Sequence, residues 1–142
     1  MNATWSRRAT MGLMGLTLCL GVGTAGDRSD AQSEQVMEVV IRNNTFISKQ
    51  APLKLNLPVR IVVDNQDSIR HDFGSSIFHN TPTQIEHNGV IAYGSTVGGV
   101  FLDGGRSATI QFTLQRPGQF EFKCSIHPNM KGEILLMSVG AV

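Results

Sequence analysis

From Leu53 to Val63 the apolar residues share one parity, Leu53, Leu55, Leu57, Val59, Ile61 and Val63, with Lys54, Asn56 and Arg60 among the positions between them. A period of two marks a β-strand with one buried face. Pro58 has no N–H to give a ladder, so the run is expected to break or bulge there. Upstream, the β-branched stretch from Val36 to Ile41 predicts a first strand after the polar lead-in Ala31 to Gln35, and Asn43-Asn44 marks the turn that follows. Ala108, Ile110, Phe112 and Leu114 restore the alternation, and Arg116-Pro117-Gly118 predicts a turn. Phe120, Phe122 and Cys124 alternate again, which aims the thiol to the same side as two aromatic rings. A last strand is expected from Glu133 to Val139.

Between His71 and Gly105 the periodicity fails, and Gly74, Gly89, Gly94, Gly98, Gly99, Gly104 and Gly105 punctuate the chain. This stretch is expected to be an extended loop region with one or two short elements, in which Tyr93 packs as a loop aromatic. No amphipathic helix and no internal repeat stand out. Several short strands joined by turns predict an all-β fold, a Greek-key β-sandwich.

Composition changes this picture at the N-terminus. In a chain of 142 residues, Arg7 and Arg8 precede an apolar run from Met11 to Val22, interrupted by Gly12, Gly15, Thr17 and Gly21 and followed by small residues. That order predicts a secretory signal peptide over residues 1–31, and the run is short for a membrane span. Cleavage after Ala25 and after Ala31 are both chemically acceptable, and an uncleaved membrane anchor is the rival reading. Residues 32–142 are then one exported domain, periplasmic or otherwise outside the cytoplasm. They carry nine basic and nine acidic residues, with no basic patch for nucleic acid and no charge block. Partners must be chosen by a local surface, no stable membrane insertion follows signal removal, and the domain is expected to be a monomer.

Cysteine usage narrows the chemistry. Cys19 lies in the apolar leader, so the exported domain keeps Cys124 alone and cannot form an intrachain disulfide. A lone exported thiol is reactive, intermolecular, buried and inert, or bound to metal. Its neighbours favour metal: Cys124-Ser125-Ile126-His127-Pro128-Asn129-Met130 spaces thiolate, imidazole and thioether three residues apart, in a loop between two strands. A fourth donor has to come from elsewhere, and His71 ends the polar loop from Asp64 to Arg70. A His, Cys, His set with a weak Met is the donor set of electron-transfer copper. A Cys124–His127 nucleophile pair lacks an acid to orient the imidazole, which disfavours catalysis. His79 and His87, the latter beside Glu86, show no ligand spacing and read as solvated loop residues.

With these residues in view, the chain resembles the cupredoxins, the small type 1 blue copper proteins, with a ligand loop most like the amicyanin or plastocyanin type. The likeness rests on the strand Val59 to Asn65 before His71, on Gly118-Gln119-Phe120-Glu121-Phe122-Lys123-Cys124, and on His127-Pro128-Asn129-Met130-Lys131-Gly132. It implies a single copper ion cycling between Cu(I) and Cu(II), held by His71, Cys124, His127 and Met130. Cys124 would make the most covalent bond and Met130 the weak axial one. The resemblance implies a one-electron carrier, not an enzyme, whose redox partners dock near His127, with Pro128 and Ile126 beside it. The alternatives are a copper enzyme or small-molecule site opened by residues 72–105, and a copper-binding or delivery protein. Binuclear copper is disfavoured, because that site needs two bridging cysteines. Three departures stand out: Asp72 where the family commonly has Asn after the upstream His, Ile126 where Pro is frequent, and a longer stretch between His71 and Cys124. A carboxylate at Asp72 is expected to favour Cu(II) and lower the potential.

Overall fold

The structure is a computed structural model and describes residues 33–49 and 52–137. The signal peptide expected over residues 1–31 lies outside these, as does the end of the expected last strand beyond residue 137. Eleven strands are described: β1 (Gln35–Arg42), β2 (Thr45–Lys49), β3 (Leu53–Lys54), β4 (Pro58–Asn65), β5 (His71–Ser75), β6 (Thr83–His87), β7 (Val90–Gly94), β8 (Gly99–Leu102), β9 (Ser107–Thr113), β10 (Gly118–Lys123) and β11 (Lys131–Met137). They form a six-stranded sheet in the order β2-β1-β4-β9-β6-β7 and a five-stranded sheet in the order β3-β11-β10-β5-β8. The expected all-β two-sheet architecture is present, and no helix among the described residues is long and apolar enough to cross a membrane.

The alternating runs do what their period requires. On β4, Val59, Ile61 and Val63 are buried and the residues between them are only partly so. Across the ladder to β9 they meet Phe112, Ile110 and Ala108, and Met37 of the parallel neighbour β1 lies beside Ile61. As expected, the alternating run breaks before Pro58: β3 ends at Lys54, the chain turns, and Pro58 opens β4, where its missing N–H is harmless. Asn56, at φ 61°, makes the turn before it.

Between the sheets sits an aromatic cluster. Phe122 of β10 lies 4.9 Å from Phe73 of β5 and 5.2 Å, edge-on, from Phe46 of β2. Gly132 on β11 leaves room for it: a Cβ there would fall 2.4 Å from the tip of the Phe122 ring. The approach to Cys124 is therefore wedged from both sides.

The stretch 72–105 is longer than a simple connection but is not a loop. It holds β5 to β8 and a short 3-10 turn, Ser76–Phe78. Its strands escaped the period-two test for opposite reasons. On β5 every residue but Gly74 is buried, whereas on β7 Val90, Ile91, Ala92 and Tyr93 are all exposed. Alternation reports only strands with one wet and one dry face. The Asn88-Gly89 pair, at φ 51° and 76°, builds the tight turn that joins β6 to β7. Tyr93 is not packed, as expected from the sequence, but 74% exposed on the sheet edge.

Candidate metal centre

His71 opens β5, and the loop before it is tied down on several sides. Asn65 is fully buried, and its amide donates to the carbonyls of Ile69, Leu102 and Asp103 at 2.9, 3.1 and 3.1 Å, while its oxygen accepts the Asp67 N–H at 3.1 Å. Gly104 lets that loop close up: a Cβ there would lie 2.3 Å from the Ser68 carbonyl oxygen. His71, with no exposed surface, thus starts from fixed backbone.

The ring orientation is also fixed. Nε2 of His71 lies 2.9 Å from Oδ2 of Asp67. The same carboxylate accepts the backbone N–H of Asn43 at 2.7 Å and of Asn44 at 3.0 Å. The Asn44 bond is the strongest influence holding the Asp67 carboxyl below its ordinary value, with Asn43 and His71 adding to it against the opposing cost of burial. An ionised carboxylate can only accept, so Nε2 carries the ring proton and Nδ1 presents its lone pair. That Nδ1 faces Sγ of Cys124 at 3.9 Å.

Cys124 follows β10 and is 1% exposed. Its Sγ lies 3.7 Å from Nδ1 of His127 and receives the backbone N–H of Asp72 at 3.5 Å. The Asp72 carboxylate in turn accepts the N–H of Ser125 at 2.7 Å and its hydroxyl at 3.1 Å. Aspartate at this position therefore keeps β5 clasped to the ligand loop. Within the loop, the Cys124 N–H donates to the Met130 carbonyl at 3.1 Å and the Met130 N–H to the His127 carbonyl at 2.9 Å. Met130 is 2% exposed at the end of this closed turn. His127 is half-buried, its ring 4.7 Å from that of His71, and Ile126 beside it is 44% exposed.

These spacings can be tested against a metal. Bonds of about 2.3 Å to sulfur and about 2.0 Å to imidazole, opened to roughly 110–120°, place the donor atoms about 3.5–3.7 Å apart. The 3.7 Å separation fits, the 3.9 Å one is slightly longer, and the donors of His71, Cys124 and His127 all lie within 4.8 Å of one another. Among the described residues this is the one group of three His, Cys, Asp or Glu side chains able to hold an ion. His79 is exposed and His87 bonds the Ser107 carbonyl at 3.0 Å, so neither joins it. Sequence reasoning missed Asp67, which lies in a loop without period; its one trace is an acidic residue in the polar segment leading to His71.

The model of the family described as Cupredoxin-like domain matches residues 12–136. Among solved structures, a multi-copper oxidase from Pseudomonas thermotolerans is similar at TM-score 0.54 and 12% identity, over 75% of this chain and 30% of that one. A second multicopper oxidase is similar at TM-score 0.52 and 14% identity, over 75% and 45%. A reduced variant of amicyanin gives TM-score 0.44 and 13% identity, over 78% and 87%. The chain thus spans less than half the length of the multicopper oxidases it matches. A search of curated proteins finds no match.

Proposed function

Because the chain belongs to the cupredoxin-like domain family, we propose that it holds one copper ion between His71, Cys124, His127 and Met130 and carries single electrons between redox proteins outside the cytoplasm. The observation that carries this reading is the buried Cys124 thiol with an imidazole nitrogen on either side, at 3.7 and 3.9 Å. Copper bound there would supply one-electron chemistry, since thiolate and imidazole suit Cu(II) while thioether suits Cu(I).

The residues divide the work. His71 is held by Asp67 on its far nitrogen and so offers Nδ1 in one orientation only. The Asp72 N–H donates to the thiol sulfur and stabilises charge on it. The two backbone bonds within the loop from Cys124 to Met130 keep its donors from spreading. His127 is the half-buried donor, and with exposed Ile126 and Pro128 it forms the contact through which electrons enter and leave. The leader-like pattern of residues 1–31 supports export.

A catalytic copper site needs an open coordination position. Exposures of 0% for His71, 1% for Cys124 and 2% for Met130 favour a closed carrier instead. Titrating the Cu(II) protein with azide tests this. The carrier reading predicts an unchanged visible spectrum; a new azide-to-copper band would favour the small-molecule reading.

A further inference from the structure

Strand β7 is the outer strand of the six-stranded sheet, bonded to β6 on one side and, among the described residues, to no strand on the other. Proteins usually blunt such edges with charge, proline or a bulge, because the free N–H and C=O groups template pairing with another chain. This edge has none of these: it reads Val90-Ile91-Ala92-Tyr93-Gly94, with Val90 67%, Ile91 50% and Tyr93 74% exposed. Both faces of the strand are wet, so it stands clear of the opposing sheet.

The hairpin register fixes which groups face outward. His87 and Val90 flank the two-residue Asn88-Gly89 turn and pair with each other, and in such hairpins the flanking pair exchanges both hydrogen bonds. Bonded and unbonded positions then alternate, so the N–H and C=O of Ile91 and Tyr93 point away from β6. An approaching strand must match those two residues.

We propose that β7 pairs antiparallel with β7 of a second copy of this chain, about a two-fold axis at Ala92, joining two six-stranded sheets into one. The sequence is self-complementary in this register. Ile91 bonds with Tyr93 of the second copy, and Tyr93 with its Ile91, so that both outward-facing residues of each strand are satisfied. Those pairs are aliphatic against aromatic on one face, a favourable cross-strand combination. Ala92 meets its own counterpart at the close, non-bonded position, where a small side chain is needed. No like charges oppose each other, since β7 carries none. A strand pair of five residues is small against the roughly 1,200–2,000 Å² of a stable interface, so the dimer forms reversibly as concentration rises. The strands that pair contain none of the residues proposed to hold copper, so the dimer is independent of the metal.

Sedimentation velocity of the metal-free protein across a concentration series, with Ala92→Lys alongside, tests the proposal. The parent should shift from monomer to dimer, and the variant, which sets two like charges face to face, should need at least tenfold more protein to do so. Because position 92 is exposed, the lysine leaves the fold intact, which the melting curve checks. Register is read from thiols: Ala92→Cys should form an intermolecular disulfide rapidly, whereas Val90→Cys, also exposed but four positions out of register with itself, should not. A parent that stays monomeric throughout, association that survives Ala92→Lys unchanged, or equal cross-linking at both positions would overturn the pairing.

Discussion

Two histidines face the same thiol from different kinds of structure, and the contrast explains how the site divides rigidity from access. His71 is the first residue of β5, fully buried, with its outer nitrogen on Asp67 and its loop clamped by Asn65. His127 lies in the seven-residue loop from Cys124 to Met130, half-buried, next to exposed Ile126. The strand side is tied to the turn at Asn43 and Asn44 and to the carbonyls of Leu102 and Asp103; the loop side is held by two backbone bonds among its own residues and by the Asp72 clasp on Ser125. An electron carrier benefits from both. In the proposed carrier, the buried side would limit rearrangement between oxidation states, and the other would bring a donor to the surface.

Deleting each ring in turn should separate the two sides most strongly. His71→Gly and His127→Gly should both abolish the thiolate-to-copper band. Added imidazole should restore it in His127→Gly, where the gap opens to solvent, and fail to do so in His71→Gly at the same concentration. Equal rescue in both would remove the distinction between closed and open sides.

A smaller effect is expected from cutting the tether while keeping the ring. Asp67→Ala frees the outer nitrogen of His71, and loss of such a partner costs about 10–100-fold in metal affinity. Competition with a copper chelator measures it. Because Asp67 also receives the N–H groups of Asn43 and Asn44, amide exchange in that turn should quicken too. Unchanged affinity with faster exchange would mean that Asp67 serves the turn and not the metal.

The smallest effect concerns the clasp between the two sides. Asp72 sets its carboxylate on Ser125, the residue next to Cys124, and a negative charge there favours Cu(II) over Cu(I). Asp72→Asn retains an acceptor for Ser125 and removes the charge, so the reduction potential should rise. Protein-film voltammetry would show it, and a potential that is unchanged or falls would contradict the electrostatic role.

The loop side of the site was far more legible in the sequence than the strand side, for a physical reason. Cys124, His127 and Met130 are neighbours along the chain, and Phe120 and Phe122 set the parity that turns the thiol inward. His71 could be chosen only by donor arithmetic and family resemblance, because nothing local marks it, and Asp67 acts across an irregular loop that no period describes. The same limit governs the fold. β4 and β9 have one wet and one dry face and declare themselves by alternation. β5 is buried almost throughout and β7 exposed almost throughout, so the region between His71 and Gly105 read as loop. Whether an apolar strand lies at an edge is decided by topology, which explains why Tyr93 was expected to be packed when it is exposed.

One copper ion held by the Cys124 thiolate between two imidazoles would leave a distinct spectroscopic signature. The most direct measurement is the visible and electron paramagnetic resonance spectrum of the protein loaded with one equivalent of Cu(II). An intense blue thiolate-to-copper band with a narrow copper hyperfine splitting, both lost in Cys124→Ser, is the predicted result. A colourless one-to-one complex, or a spectrum indifferent to Cys124→Ser, would contradict it.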